Sequence, residues 1–151
     1  MERTLVILKP CTIQRGLIGE IIARFEKKGL ILEGMKMTWL TDEILSEHYA
    51  HLKERSFFQR VKDAMAVCPV IVCCWKGVDA VNVVRTLAGS TNGRNAAPGT
   101  IRGDYSMSVQ ENIVHASDSP ETAAIELKRF FNEDELFSYE TKNLLSLYAN
   151  D

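Results

Sequence analysis

The sequence predicts an α+β domain, a ferredoxin-like βαββαβ antiparallel sheet with an inserted helical hairpin and a C-terminal helix. Three observations predict it. Short branched runs such as residues 4–8 and 70–75 have the length and composition of buried strands. Between them lie longer segments whose apolar residues recur at i, i+3, i+4 and i+7, the period of an amphipathic helix. The two kinds alternate as strand, helix, strand, helical hairpin, strand, helix, strand, helix, an order that suits an antiparallel sheet with helices on one side. A small three-layer α/β sheet is the alternative arrangement of the same order.

Residues 4–8, TLVIL, are closed by Pro10 and form the first strand. Ile18, Ile21, Ile22 and Phe25 define the first helix, and Lys27, Lys28 and Gly29 provide its C-terminal charge and stop. Leu30 to Leu40 alternates poorly but is apolar enough for a second strand. Thr41, Asp42 and Glu43 then read as a cap and first turn for a helix carrying Leu45, His48, Tyr49 and Leu52 on one stripe. A short helix is predicted from Phe57 to Ala66, and a third strand from Val70 to Trp75. Asp79 is placed as the cap of a helix buried through Ala80, Val83, Val84 and Leu87, which leaves Arg85 free to face a cleft. Residues 89–104, GSTNGRNAAPGTIRGD, show no period and read as one long loop, a kind of segment that in compact domains is usually functional or disordered. A last strand is expected from Met107 to His115. Ser119 and Pro120 then open a helix through Ala123, Leu127 and Phe130.

The 151 residues suffice for one domain, taken as 1–151. A formal charge of -2 is too balanced for nonspecific binding to nucleic acid or anionic lipid, so any anion must be held locally. No apolar run is long enough to span a membrane, and the start of the chain lacks a charged-then-apolar signal pattern, so a cytoplasmic protein is expected. Cys11, Cys68, Cys73 and Cys74 have neither CxxC nor zinc-finger spacing and read as core fillers.

Motif-bearing ATPases, dehydrogenases, zinc proteases and serine hydrolases are excluded, because none of their patterns occurs. Lys9 ends an apolar strand on the face shared by Leu5 and Ile7, where an ammonium is desolvated unless it meets an anion or reaches solvent. Arg94 and Arg102, with Thr91 and the loop glycines, offer guanidinium forks, a hydroxyl and free N–H groups of the kind that grip a polyphosphate. His115 stands between an apolar strand and a helix cap. With an ordinary pKa of about 6.5, much of an imidazole is neutral at pH 7, and one nitrogen can attack phosphorus while the other keeps its proton. A carboxylate should hold that proton, and Glu126, about 40° around the helix from Phe130, borders the buried face. His48 and His51 read as packed histidines.

Lys9-Pro10, His48-Tyr49, PGTIRGD at 98–104 and NIVHASDS at 112–119, in this order, resemble the nucleoside diphosphate kinase family from about Arg3 to Phe131. The resemblance implies a homo-oligomer, hexameric or tetrameric, that moves the γ-phosphate of ATP, GTP or another nucleoside triphosphate to a nucleoside diphosphate. It implies that His115 becomes phosphohistidine and that Glu126 orients its ring. Lys9, Tyr49 and Asn112 would surround the γ-phosphate and ribose 3′-hydroxyl, and Arg85, Thr91 and Arg102 would hold the β- and γ-phosphates. Phe57 would stack on the base with Val109 nearby, and Arg55 matches a family arginine of less defined duty. Mg²⁺ would be carried on phosphates and water, without a cluster of protein ligands.

Two departures stand out. Many members continue Lys-Pro with Asp-Gly where this chain has Cys11-Thr12, a change that can alter hydrogen bonding beside Lys9. Many place proline where this chain has Gly93, in a loop that packs at subunit contacts in the family, which predicts that Gly93→Pro raises stability if the backbone accepts proline there. The rival class is a noncatalytic nucleotide- or RNA-binding module, since ferredoxin-like domains also read RNA. An aromatic content of 8% and a net negative charge argue against an RNA-reading face.

Overall fold

The computed structural model describes residues 1–149; the last two residues of the domain taken as 1–151 lie outside the described range. Strand β1 (Glu2–Leu8) leads through a short helix α1 (Pro10–Gln14) into α2 (Ile18–Lys28) and strand β2 (Ile31–Thr38). Helices α3 (Asp42–His48) and α4 (Phe58–Met65) form the inserted hairpin, followed by strand β3 (Val70–Gly77) and α5 (Ala80–Ala88). Helix α6 (Ile101–Tyr105), strand β4 (Val114–Ala116), α7 (Pro120–Phe130) and α8 (Leu144–Tyr148) complete the chain.

The sheet runs β2-β3-β1-β4 with every neighbour antiparallel, the predicted ferredoxin-like order. Its two faces are both covered. Val6 and Leu8 of β1 and Cys73 and Trp75 of β3 pack against Ile21, Phe25 and Val84 of α2 and α5. Leu5 and Ile7, with Val72 and Cys74, point the other way onto Leu45, Met65, Leu127 and Phe130 of α3, α4 and α7. The expectation of helices on one side is thereby corrected. Central strands that are apolar at every position need cover on both faces, and the insertion together with α7 supplies the second layer.

Further differences have local causes. Pro10 at the first helical position starts α1, which the sequence reading passed over. The stripe through Leu52 is broken because α3 ends at His48 and the next turn, Ala50–Leu52, is a 3₁₀ helix. Asp79 does not cap α5: it sits at φ 52°, and its carboxylate accepts from the Asn82 amide. Glu2, from β1, accepts instead from the free Val81 N–H at 3.0 Å. Residues 89–104 are not a single loop, for Thr100 accepts from Gly103 N–H and starts α6. The last strand is only three residues long. Upstream of it the Ser106 hydroxyl meets the carbonyls of Ser108 and Glu111 at 3.1 and 3.0 Å, and Ser108 Oγ accepts from the N–H groups of Gln110 and Glu111. These side-chain bonds compete with ladder pairing and curl the chain.

All four cysteines are free; Cys73 and Cys74 are buried as core fillers, whereas Cys11 and Cys68 are half-buried. No helix among the described residues is long and apolar enough to cross a membrane.

Candidate active site

Strand register aims the central groups. His115 pairs with Ile7 across the β1–β4 ladder, so the two side chains share the face covered by α7, and Lys9, two residues beyond Ile7, stands on that face as well. Ser119 starts α7 by accepting from Thr122 N–H, and Glu126 lies on the helix's buried side. The His115 Nε2 meets Glu126 Oε2 at 2.9 Å and Oε1 at 3.1 Å, and the Ser117 hydroxyl donates to Oε1 at 2.5 Å. Burial pushes the Glu126 carboxyl up, but the bonds from His115 and Ser117 and the nearby imidazoles outweigh it and hold the group below its ordinary range. An ionised Glu126 therefore fixes the proton of His115 on Nε2. Nδ1 is left with an unprotonated lone pair on a side chain that lines a cleft of about 800 Å³.

The backbone just before His115 is strained. Val114 N–H donates to Asn112 C=O at 2.9 Å, a γ-turn centred on Ile113, a fully buried branched residue at φ 75°. Three bonds hold it. Ile113 C=O accepts from Lys9 N–H at 3.0 Å and from the Thr12 hydroxyl at 2.6 Å, and Asn112 C=O accepts from Arg102 Nε at 3.1 Å. Thr12, one of the two departures beside Lys9, thus reaches the turn that presents His115.

The Lys9 ammonium donates to Asn112 Oδ1 at 2.6 Å and to Gln110 C=O at 3.2 Å, while the Asn112 amide donates to Thr91 C=O. Burial, and then the Arg102 charge, pull its pKa down to about 8. Arg102 spends three of its five N–H groups on the carbonyls of Asn112, Gly89 and Val114, leaving two for a ligand. Burial and the neighbouring Arg85 hold it down to about 10. Tyr49, Phe57, Arg85, Thr91 and Val109 line the same cleft, and burial pushes the Tyr49 phenol up to about 12. Arg55 and Arg94 are exposed and do not line it.

The sequence reading left out several residues that the fold adds. His48 is buried as expected, but its ring stands 4.6 Å from that of His115, edge to face. Arg129, Arg60 and Asp118 also line the cleft. Spacing carried a signal for two of them, since Asp118 is three residues beyond His115 and Arg129 one turn beyond Glu126. Donor atoms of His48, His115 and Glu126 lie within 4.8 Å of one another, close enough for a metal. Arg129 donates to His48 Nδ1 at 2.9 Å, however, and two nitrogen donors do not suit a hard cation.

A histidine with a free nitrogen, oriented by a buried carboxylate inside a cleft lined by cations and a phenylalanine, is equipped to attack a polyphosphate. Comparison with known proteins decides the family. The nucleoside diphosphate kinase family model matches residues 2–136. The chain belongs to the nucleoside diphosphate kinase family. Among its relatives, a nucleoside diphosphate kinase of Parabacteroides distasonis is 86% identical over 151 residues, covering 100% of this chain and 99% of the relative. One from Pyrococcus abyssi is 50% identical over 141 residues, 91% of this chain and 89% of that one. Among solved structures, a halophilic nucleoside diphosphate kinase from Halobacterium salinarum in complex with CDP superposes with a TM-score of 0.95 at 40% identity, over 97% of this chain and 98% of that one. With nucleoside diphosphate kinases sharing both sequence and the four-stranded sheet, the ferredoxin-like domain and the kinase assignment stand together.

Proposed function

We propose that this chain, acting as one domain over 1–151, transfers the γ-phosphate of a nucleoside triphosphate such as ATP or GTP to a nucleoside diphosphate by a ping-pong reaction through phosphohistidine at His115. The observation that carries this reading is the pair of His115 Nε2 and Glu126 Oε2 at 2.9 Å, which leaves Nδ1 to attack. In the first half, Nδ1 forms a bond to the γ-phosphorus as the bond from that phosphorus to the β,γ-bridging oxygen breaks, and the diphosphate leaves with the electron pair. In the second half an incoming diphosphate takes the group back, so one site serves donor and acceptor.

Lys9, Arg85, Thr91 and Arg102 grip the transferring and β-phosphates, and Asn112 and Tyr49 stand where the ribose hydroxyl and γ-phosphate meet. Phe57 stacks on the base, with Val109 lining the same cleft. Stacking without reading of base edges suits breadth across purines and pyrimidines. Arg55 is exposed beside the turn that leads to Phe57, and its guanidinium is free to reach a nucleotide phosphate from the rim. Mg²⁺ fits as an ion held on phosphate oxygens and water, because the Glu126 carboxylate is already committed and Asp118 is an exposed carboxylate free to hold one of its waters. When bound, it neutralises charge on the transferring group. In the cytoplasm, where thiols stay reduced, the chain works as a symmetric hexamer or tetramer without membrane or nucleic-acid partners. Exposed Met35, Met37 and Trp39 on and beside the edge strand β2 are apolar surface that such an assembly covers.

The test is incubation with γ-labelled triphosphate. An acid-labile, base-stable label on the protein, lost on adding diphosphate and absent from His115→Ala, supports the reading. Normal labelling of His115→Ala overturns it.

A further inference from the structure

Glu126 faces two histidines. Its Oε2 lies 2.9 Å from His115 Nε2 and 3.4 Å from His48 Nδ1, so the carboxylate can hold a proton on either ring. Which ring it serves depends on what else His48 meets. On its own helix the neighbour is Glu47; on the following turn are Tyr49 and His51; β4 presents His115, and α7 presents Glu126 and Arg129. Lys62 of α4 is engaged elsewhere, with Asp42 and Ser46. Arg129 decides the matter, because its guanidinium donates to His48 Nδ1 at 2.9 Å while its Nε lies 3.3 Å from Glu47. A nitrogen that accepts from a guanidinium carries no proton of its own. The 3.4 Å approach to Glu126 is therefore not a hydrogen bond.

We propose that Arg129 is a positioning residue: by occupying His48 Nδ1 it stops the second histidine from claiming Glu126, and so reserves that carboxylate for His115 Nε2–H. This rests on the phosphohistidine reading above. Protonating His48 at Nδ1 would break the bond to Arg129 and set two cationic N–H groups against each other. Burial first, then the charge of His115 and, more weakly, that of Arg129 outweigh the pull of Glu126 and hold the His48 pKa down to about 3. Without Arg129 the neutral ring is free to carry its proton on Nδ1 and donate it to Glu126. His115 then loses its exclusive partner, and with it the tautomer that leaves Nδ1 ready to attack.

The experiment compares wild type, Arg129→Met, Arg129→Lys and the double variant His48→Phe/Arg129→Met in two measurements across about pH 5 to 9. These are the pH profile of kcat/KM for phosphate exchange and the ¹⁵N ring shifts of the histidines. In Arg129→Met the His48 ring should carry its proton on Nδ1 in place of Nε2, and kcat/KM should fall by about tenfold across the pH range. Arg129→Lys keeps a cationic donor and should restore much of the wild-type profile. The double variant lacks the competing ring and should regain most of the wild-type kcat/KM, an outcome that a purely structural role for Arg129 does not produce. A His48 ring that keeps its proton on Nε2 in Arg129→Met, or an unchanged kcat/KM, overturns the proposal. If Arg129→Met fails to fold, Arg129→Gln takes its place, with a smaller loss of kcat/KM expected and no loss counting against the idea. Absence of exchange in the wild type would sink the phosphohistidine reading instead, and the ring shifts would still decide whether Arg129 governs His48.

Discussion

His115 Nε2 and Glu126 Oε2 are 2.9 Å apart, and the second oxygen of the same carboxylate takes the Ser117 hydroxyl at 2.5 Å. The proposed nucleophile is therefore held at one nitrogen by a group that is itself held. Glu126→Gln keeps an amide oxygen able to accept from Nε2–H but loses the charge. Phosphate exchange should fall by about 10- to 100-fold, the size typical of a lost orienting partner, without vanishing. Rapid-quench measurement of protein labelling separates this from His115→Ala, which should show none. Equal loss in both variants would make Glu126 more than an orienting group.

Lys9 links binding to protons. Its pKa of about 8 in the free protein reflects burial and Arg102, and phosphate anions must raise it again. Near pH 8.5 the free protein has lost part of this proton and binding takes it back, so nucleotide affinity falls as pH rises through about 8. Calorimetry in two buffers of different ionisation enthalpy should report uptake of a fraction of a proton, absent in Lys9→Met. A buffer-independent enthalpy would contradict this.

Arg102 carries structure as well as charge. Arg102→Ala leaves the carbonyls of Asn112, Gly89 and Val114 without their donor beside a strained turn. It should lower the melting temperature by an amount equivalent to about 3 kcal/mol or more, at about 1 to 3 kcal/mol per unsatisfied buried group. It should also lower kcat and kcat/KM together for every nucleotide. An unchanged melting temperature would show that water replaces the guanidinium.

Phe57 is a half-buried ring in the cleft wall. Phe57→Ala should weaken adenine, guanine and pyrimidine nucleotides alike by about 1 to 3 kcal/mol, with purines losing somewhat more. Steady-state exchange with four diphosphate acceptors checks it. Loss of one base alone would point to edge reading.

Gly93 reverses the expectation drawn from sequence. Its N–H donates to Ser108 C=O at 3.1 Å, a bond that proline cannot make, and a Cβ there would collide with the side chain and backbone of Ser106. Gly93→Pro and Gly93→Ala should both destabilise, by about 1 to 3 kcal/mol, in thermal or urea melts. A rise in stability for the proline variant would mean that the Ser106 turn rearranges.

Much of the fold was legible because local patterns and tertiary needs agree. Ile18, Ile21, Ile22 and Phe25 mark a helix at any distance from the rest of the chain, and Ser119-Pro120 marks a helix start. Where the two disagree, reading along the chain failed. Asp79 looks like a cap, yet the N–H it would serve is taken by Glu2, 79 residues before Val81. Residues 107–113 look like a strand, yet Ser106 and Ser108 bond the local backbone and Ile113 turns through φ 75°.

The site divides in the same way. Sequence alone determined the ferredoxin-like order of elements and, through PGTIRGD and NIVHASDS, the family, because these depend on residue type and spacing. Tertiary structure decided that both faces of the sheet are covered, that Arg102 is shared between backbone and cleft, and that Arg55 stands outside. It alone placed Arg129 on His48 and His48 beside His115. Hydrogen bonds and burial are set by distances between residues far apart in the chain, here 81 positions for Arg129 and His48, and no local period encodes such a distance.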